Sequence, residues 1–321
     1  MNRTILSLVT ALSLVSVSSY ADFTGEGYSI KTDVPYGKGV ITKNGMVASR
    51  DLVMDVVQPD VPIAENNPAI VLAFGGNFIR GDKNQAYSVD GAQTTSMRDY
   101  CKRFAQEGYT CVAIDYRLSR EEPIVSNIGY SNEVLVDSEL RFDALHDRHN
   151  MLRVGKGLDP LPKETDIVKN SVIAASEDMF TAVRFLRDNA DQYAIDPDRI
   201  ALGGFSAGAI TSFNVAYGMQ APVKAVFGNS GYGLGFDFSS MSQGSQALPP
   251  ALIHFGHTDL TPLLDAAEPV LENYKAVGVE VETAWVPGFG HFYPAEATSL
   301  GEGVSKQSVQ ERILDFLNRH L

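Results

Sequence analysis

The chain has 321 residues, 26 of them Lys or Arg and 39 Asp or Glu, for a formal charge of −13, and 44% of its residues are hydrophobic. That balance excludes nucleic acid and anionic membrane surfaces as partners, because both require a basic face. The length suffices for a sizeable core.

Residues 1–21 read as a signal peptide. Asn2-Arg3 gives a positive start, Ile5 to Val17 an apolar stretch interrupted by serine and threonine, and Ser19-Tyr20-Ala21 the small residues of a cleavage site. The mature chain, residues 22–321, is therefore expected to be a single domain, secreted or periplasmic, with no membrane anchoring after cleavage. In an oxidising compartment Cys101 and Cys111 are expected to pair as a disulfide, the alternative being two buried thiols.

From Tyr28 to Gln58 the pattern is strand-like, with Asp51–Pro59 an antiparallel lead-in. Ala69–Phe74 is a continuous apolar run, as in a strand buried on both faces, and it ends at Gly75-Gly76-Asn77. Thr94–Glu107 predicts a helix and Thr110–Ile114 another buried strand. Ser171–Asn189 predicts an amphipathic helix. Asp196–Arg199 is a turn, and a strand starts at Ile200. Further strands are predicted at Val223–Phe227, Ala251–Phe255 and Val281–Val286, with helices at Leu263–Ala276 and Ser305–His320. Strands alternating with helices give an α/β fold, a mostly parallel central sheet with helices on both faces. Ser119–Asn170 breaks the alternation with a weak helical pattern around Ser138–Leu152. It is too long for an ordinary connection and reads as an insertion that borders or caps the site, or as a surface excursion. Gly228–Pro250 reads as a second wall.

Gly204-Phe205-Ser206-Ala207-Gly208 fits G-x-S-x-G, in which a serine occupies a strained turn between a strand and a helix. A nucleophilic serine requires a base, and the base a carboxylate to hold its tautomer. In this architecture such groups gather at the carboxyl ends of the strands. Asp259 follows the Ala251–Phe255 strand and His291 the Val281–Val286 strand. His257 is an alternative base, Asp265 and Asp237 are alternative acids, and His254 reads as a packed core residue. An oxyanion hole is expected from the backbone N–H of Ala207 and of Gly76 or Asn77. The cluster Asp143, His146, Asp147 and His149 matches no zinc spacing and reads as a solvated surface, and Asp115 with Arg117 reads as an ion pair. No cofactor and no metal is expected.

Together, Gly75-Gly-Asn-Phe-x-x-Gly-Asp-Lys83, Asp115-Tyr-Arg-Leu118, Asp196-Pro-Asp-Arg199 and Gly204-Phe-Ser-Ala-Gly208 resemble the α/β-hydrolase carboxylesterases. The hormone-sensitive-lipase-like and bacterial feruloyl or acetyl-xylan-type groups are the nearest. The resemblance covers Asp51 to the C-terminus apart from the insertion. It implies Ser206 as nucleophile, Asp259 as acid, His291 as base, and Gly76, Asn77 and Ala207 as oxyanion donors. The implied substrate is a small-molecule or carbohydrate-linked ester. One departure is Phe74, which stands where the family has a histidine before the two glycines; this bears on the geometry of the oxyanion loop. An amide or peptide hydrolase, an arylformamidase, and a non-catalytic binding protein on the same fold are the rival readings.

Overall fold

The computed structural model describes residues 22–89, 91–135, 139–238 and 247–321. The expected signal peptide lies outside the described residues. Among them no helix is long and apolar enough to cross a membrane.

The chain enters through an antiparallel meander, β1 (Asp22–Gly25), β2 (Tyr28–Lys43) and β3 (Met46–Pro59). Asn44 and Gly45 join β2 to β3 with φ of 53° and 74°. These are the positive angles of a two-residue hairpin whose twist matches the strands. Next comes β4 (Asn67–Ala73), buried at every position. A short hairpin of β5 (Ser88–Val89) and β6 (Ala92–Gln93) precedes helix α1 (Met97–Gln106). That helix starts later than its periodicity suggests because the Ser96 hydroxyl caps it, accepting from the Asp99 N–H. Then follow β7 (Thr110–Ile114) and β8 (Pro123–Ile124). Helices α2 (Glu139–Val154), α3 (Ile167–Asp188) and α4 (Ala190–Tyr193) come next.

The second half runs β9 (Ile195–Phe205), α5 (Ala207–Phe213), β10 (Ala225–Asn229) and β11 (Ala251–Gly256). It closes with α6 (Thr261–Asp265), α7 (Ala267–Ala276), β12 (Val281–Val286), β13 (Thr298–Leu300), β14 (Lys306–Ser308) and α8 (Val309–His320). Several boundaries differ from expectation, among them that of β10, which runs two residues later than Val223–Phe227. Strand β9 begins at Ile195 because Asn67 pairs with Ile195, which absorbs the expected Asp196–Arg199 turn into the sheet. The expected helix Leu263–Ala276 is broken at Ala266 into α6 and α7. The last helix starts at Val309, where Ser308 and Glu311 form a reciprocal cap.

One sheet carries the order β1-β2-β3-β7-β4-β9-β10-β11-β12-β13-β14, with β8 on the edge of β2. From β7 to β12 neighbours are parallel, so their carboxyl ends converge on one edge. Helix α3 packs against β2, β4 and β9 through Val172, Ala175, Met179 and Leu186, all buried. Helix α1 packs on β7, β3 and β4, and a disulfide between Cys101 and Cys111 ties it to β7.

Asp115 and Arg117 are not partners. The Lys83 ammonium lies 2.7 Å from Asp115 Oδ2 and 2.7 Å from Asp33 Oδ1, whereas Arg117 reaches Glu177 and Asp178, both at 2.9 Å, on α3. Arg117 is 2% exposed. Burial acts against its charge, but the two carboxylates outweigh it and raise its pKa above the usual value. This cluster locks the end of β7 to α3, beneath the insertion.

The insertion ends at Asp166 rather than Asn170, because α3 begins at Ile167. It contains turns at Ser119–Glu121 and Asn132–Val134, strand β8 and helix α2. Leu135 bridges to Phe236, and the Asp237 N–H donates to Val134 O at 2.7 Å, so the insertion is joined to the segment after β10.

Candidate active site

Strand β9 delivers Ser206 to the convergent edge of the sheet, where it takes φ 54° and ψ −116°. No L-residue adopts that conformation without strain, so it persists only because the surroundings impose it. A β-carbon on Gly204 would lie 2.6 Å from Ala73 O, and one on Gly208 only 1.9 Å from the same oxygen. The two glycines therefore let α5 sit directly on β4, and the Ser206 N–H is tied to Asn229 O at 2.8 Å.

The His291 ring bridges serine and acid. Its Nε2 lies 2.8 Å from Ser206 Oγ and its Nδ1 2.6 Å from Asp259 Oδ1. Asp259 is 6% exposed and His291 7%. The loops bearing them are joined by backbone bonds from Thr258 N to Phe289 O and from His257 N to Val286 O, both 3.1 Å. Gly256 passes so close to Gly290 that a β-carbon there would lie 1.9 Å from its carbonyl oxygen.

Asp259 is further fixed by the Ser230 hydroxyl, which donates to Oδ2 at 2.5 Å, and by the N–H groups of Gly256 at 3.1 Å and Leu260 at 2.8 Å. Burial pushes its pKa up, but the hydrogen bond and charge of His291, with the Ser230 and Leu260 donors, outweigh burial and hold it below the ordinary carboxylate value. The acid is thus ionised at neutral pH and can stabilise an imidazolium. Ser230 also bonds Tyr293 Oη at 3.0 Å, and Tyr293 reaches His254 O at 3.3 Å. Ser230 and Tyr293 were not legible in the sequence, since nothing in the spacing of Asn229-Ser230 marks them.

None of the alternatives takes up the bond to His291 Nδ1, which Asp259 holds, although Asp265 lines the same cavity as Ser206. His257 is exposed on the acid loop, and Asp265 is exposed at the end of α6. Asp237 is held by its backbone to Val134. His254 is fully buried within β11, which lowers its pKa to about 3.

The loop after β4 turns through three positive φ values, 124° at Gly76, 56° at Asn77 and 58° at Phe78. The N–H groups of Asn77 and Ala207 have no acceptor among the described residues. Phe74, where the sequence resemblance implies a histidine, stacks on Tyr116 with ring centroids 4.2 Å apart. The loop carbonyls are braced instead by tyrosines: Tyr116 Oη donates to Phe74 O at 2.7 Å and Tyr87 Oη to Gly75 O at 2.8 Å. Ser119 N donates to Phe78 O at 2.8 Å.

His146 and His149 of α2 are buried rather than solvated. His146 Nε2 lies 3.1 Å from Pro162 O and His149 Nε2 3.0 Å from Ser119 Oγ, so each has a protein partner. Burial lowers the His149 pKa to about 4, which keeps it neutral at neutral pH. Helix α2 thereby stands over the loop after β4.

Between α2, α5 and α6 opens a mostly apolar cavity of about 620 Å³, with Ser206 and His291 in its wall alongside Leu145, Ile210, Leu234 and Leu263. A narrow crevice of about 20 Å³ reaches the same two residues from the side of Gly76 and Arg80. A hydroxyl relayed through an imidazole to a buried carboxylate, with two backbone donors beside it, can attack a carbonyl carbon and hold the resulting oxyanion.

Residues 167–267 match the BD-FAE family model. The structure is similar to esterase 2 of Thermogutta terrifontis phosphorylated by paraoxon, at 19% identity and TM-score 0.51, over 88% of this chain and 92% of that one. The propionate-bound form of the same esterase gives 17% identity and TM-score 0.53, over 88% and 93%. The fold is that of the α/β-hydrolases. Ser206 lies at the turn between β9 and α5, and residues 119–166 form the long excursion between β7 and α3. No curated protein matched the sequence.

Proposed function

We propose that this chain is a serine carboxylesterase that works through an acyl-enzyme. The observation that carries the reading is the unbroken chain from Ser206 Oγ through His291 to Asp259 Oδ1, at 2.8 and 2.6 Å, on a serine held at positive φ. Similarity to an α/β-hydrolase esterase and the match to the BD-FAE family support it.

In this reading His291 Nε2 takes the Ser206 proton as Oγ attacks the ester carbonyl. The N–H groups of Ala207 and Asn77, with Gly76 shaping the loop, hold the tetrahedral oxyanion. His291, now an imidazolium facing the Asp259 carboxylate, protonates the departing alkoxide. Water activated by the same ring then releases the acid and restores Ser206. The apolar cavity receives the bulkier part of the substrate.

The protein acts in the periplasm or outside the cell, delivered by residues 1–21. The disulfide between α1 and β7 supports an oxidising compartment. N-terminal sequencing of the exported protein should begin at Asp22, and retention of Met1 would contradict export by this route. For the activity, the test is hydrolysis of 4-nitrophenyl acetate by the wild type beside Ser206→Ala. The variant is expected to lose about 10⁶ of the rate. A folded variant that retains the wild-type rate would refute the assignment.

A further inference from the structure

Two guanidinium groups stand at the reaction centre with no salt bridge to either among the described residues, the nearby opposite charge being the Asp259 carboxylate already bonded to His291. Arg80, two residues after the oxyanion loop, and Arg148, on α2, both line the narrow crevice that also touches Ser206, His291 and Gly76. Among the described residues neither side chain makes a salt bridge or donates a hydrogen bond to an acceptor. Arg80 Nε is buried and lacks a partner. Its guanidinium lies over the Tyr87 ring, with Cζ 5.4 Å from the centroid.

A solvated surface arginine does not fit this placement. Buried N–H groups ordinarily find an acceptor, and a desolvated cation without one is costly. Arg148 is also half-buried; burial, and then the like charge of Arg80, lower its pKa below the usual value and outweigh the opposing pull of the Asp259 carboxylate. Two cations thus repel each other in a chain where acids outnumber bases, 39 to 26. An anion between them would relieve the repulsion and satisfy the buried donor.

We infer that this crevice is an anion subsite and that the ester cleaved at Ser206 carries a carboxylate on its smaller side. The inference rests on the serine-esterase reading and deepens it. At about 20 Å³ the crevice has room for one or two water-sized atoms, which suits carboxylate oxygens reaching in from the ester. The bulky, apolar part of the same ester lies in the adjoining 620 Å³ cavity, which shares Ser206, His291 and Arg148 with the crevice but does not reach Arg80. Arginine matches a carboxylate with paired N–H donors, and pairing at a half-desolvated site is stronger than in water.

Two substrate pairs test this, one with the charge on the acyl side and one on the alcohol side: 4-nitrophenyl hemisuccinate against its methyl ester, and 4-acetoxybenzoate against its methyl ester. In at least one pair the carboxylate form should exceed the methyl ester in kcat/KM by about tenfold or more, falling as salt rises. In Arg80→Met/Arg148→Met, and in Arg148→Gln alone as a second variant, that ratio should drop toward one. Ratios near or below one for both pairs in the wild type, or a ratio kept by folded variants, would overturn the subsite. Binding of the same pairs to Ser206→Ala, measured by calorimetry, separates this from the esterase reading. If no ester is turned over, the esterase reading fails. The subsite then stands on about tenfold tighter binding of a carboxylate form, and falls if both forms bind equally.

Discussion

Replacing Ser230 by alanine removes one hydrogen bond from the carboxylate that orients the base. The hydroxyl is fully buried and donates to Asp259 Oδ2 at 2.5 Å, leaving that oxygen with only the Gly256 N–H at 3.1 Å. Oδ1 keeps His291 and the Leu260 N–H. A hydrogen bond to a charged group contributes about 1.5–3 kcal/mol, so Ser230→Ala should lose about 2 kcal/mol of stability at pH 7. Because the acid stays in place but is less well held, kcat should fall about tenfold, with KM changed less than about twofold. The pH dependence follows from the direction of the Asp259 shift. Its pKa in the folded protein lies below the ordinary value, so the stabilisation is fully present above that value and is lost as pH falls through the folded pKa. Without the Ser230 donor the folded pKa rises, and the stability difference between wild type and variant should shrink as the solution is acidified. Urea denaturation at pH 7 and at successively lower pH, beside ester hydrolysis at pH 7, measures both effects. A stability difference independent of pH, or wild-type turnover, would refute the role assigned to Ser230.

Asp259→Asn keeps the shape but removes the charge that stabilises the imidazolium. Turnover should fall by about 10⁴ while the thermal midpoint moves little, and near-normal turnover would place the acid elsewhere. Arg117→Met leaves Glu177 and Asp178 buried without their cation. It should cost about 3–5 kcal/mol in chemical denaturation, and a loss under about 1 kcal/mol would show that the cluster does not hold α3 to β7.

The sheet and the three catalytic candidates were legible because each follows from a local rule. Apolar runs such as Ala69–Phe74 declare strands buried on both faces, and the strand-end loops after β11 and β12 then carry Asp259 and His291 to the edge where β9 delivers Ser206. What supports those residues was not legible, because it depends on long-range contacts. Ser230 lies 29 positions from Asp259, and Tyr116 braces a carbonyl 42 positions away. The tyrosines also explain how the loop after β4 holds its shape with Phe74 in place of the histidine that the resemblance implies. His146 and His149 read as surface because their period is weak and charged neighbours surround them. Only the folded insertion shows that they turn inward, against Pro162 and Ser119. Arg80 and Arg148, separated by the whole of β7 and α1, are brought to one crevice in the same way.

The central claim is that Ser206 is the nucleophile, and labelling by an active-site-directed fluorophosphonate tests it most directly. Peptide mass spectrometry after stoichiometric inactivation should find the adduct on the peptide containing Ser206, with Asp259→Asn reacting far more slowly. Complete inactivation with the adduct on another residue, or no reaction in a protein that hydrolyses esters, would contradict the account.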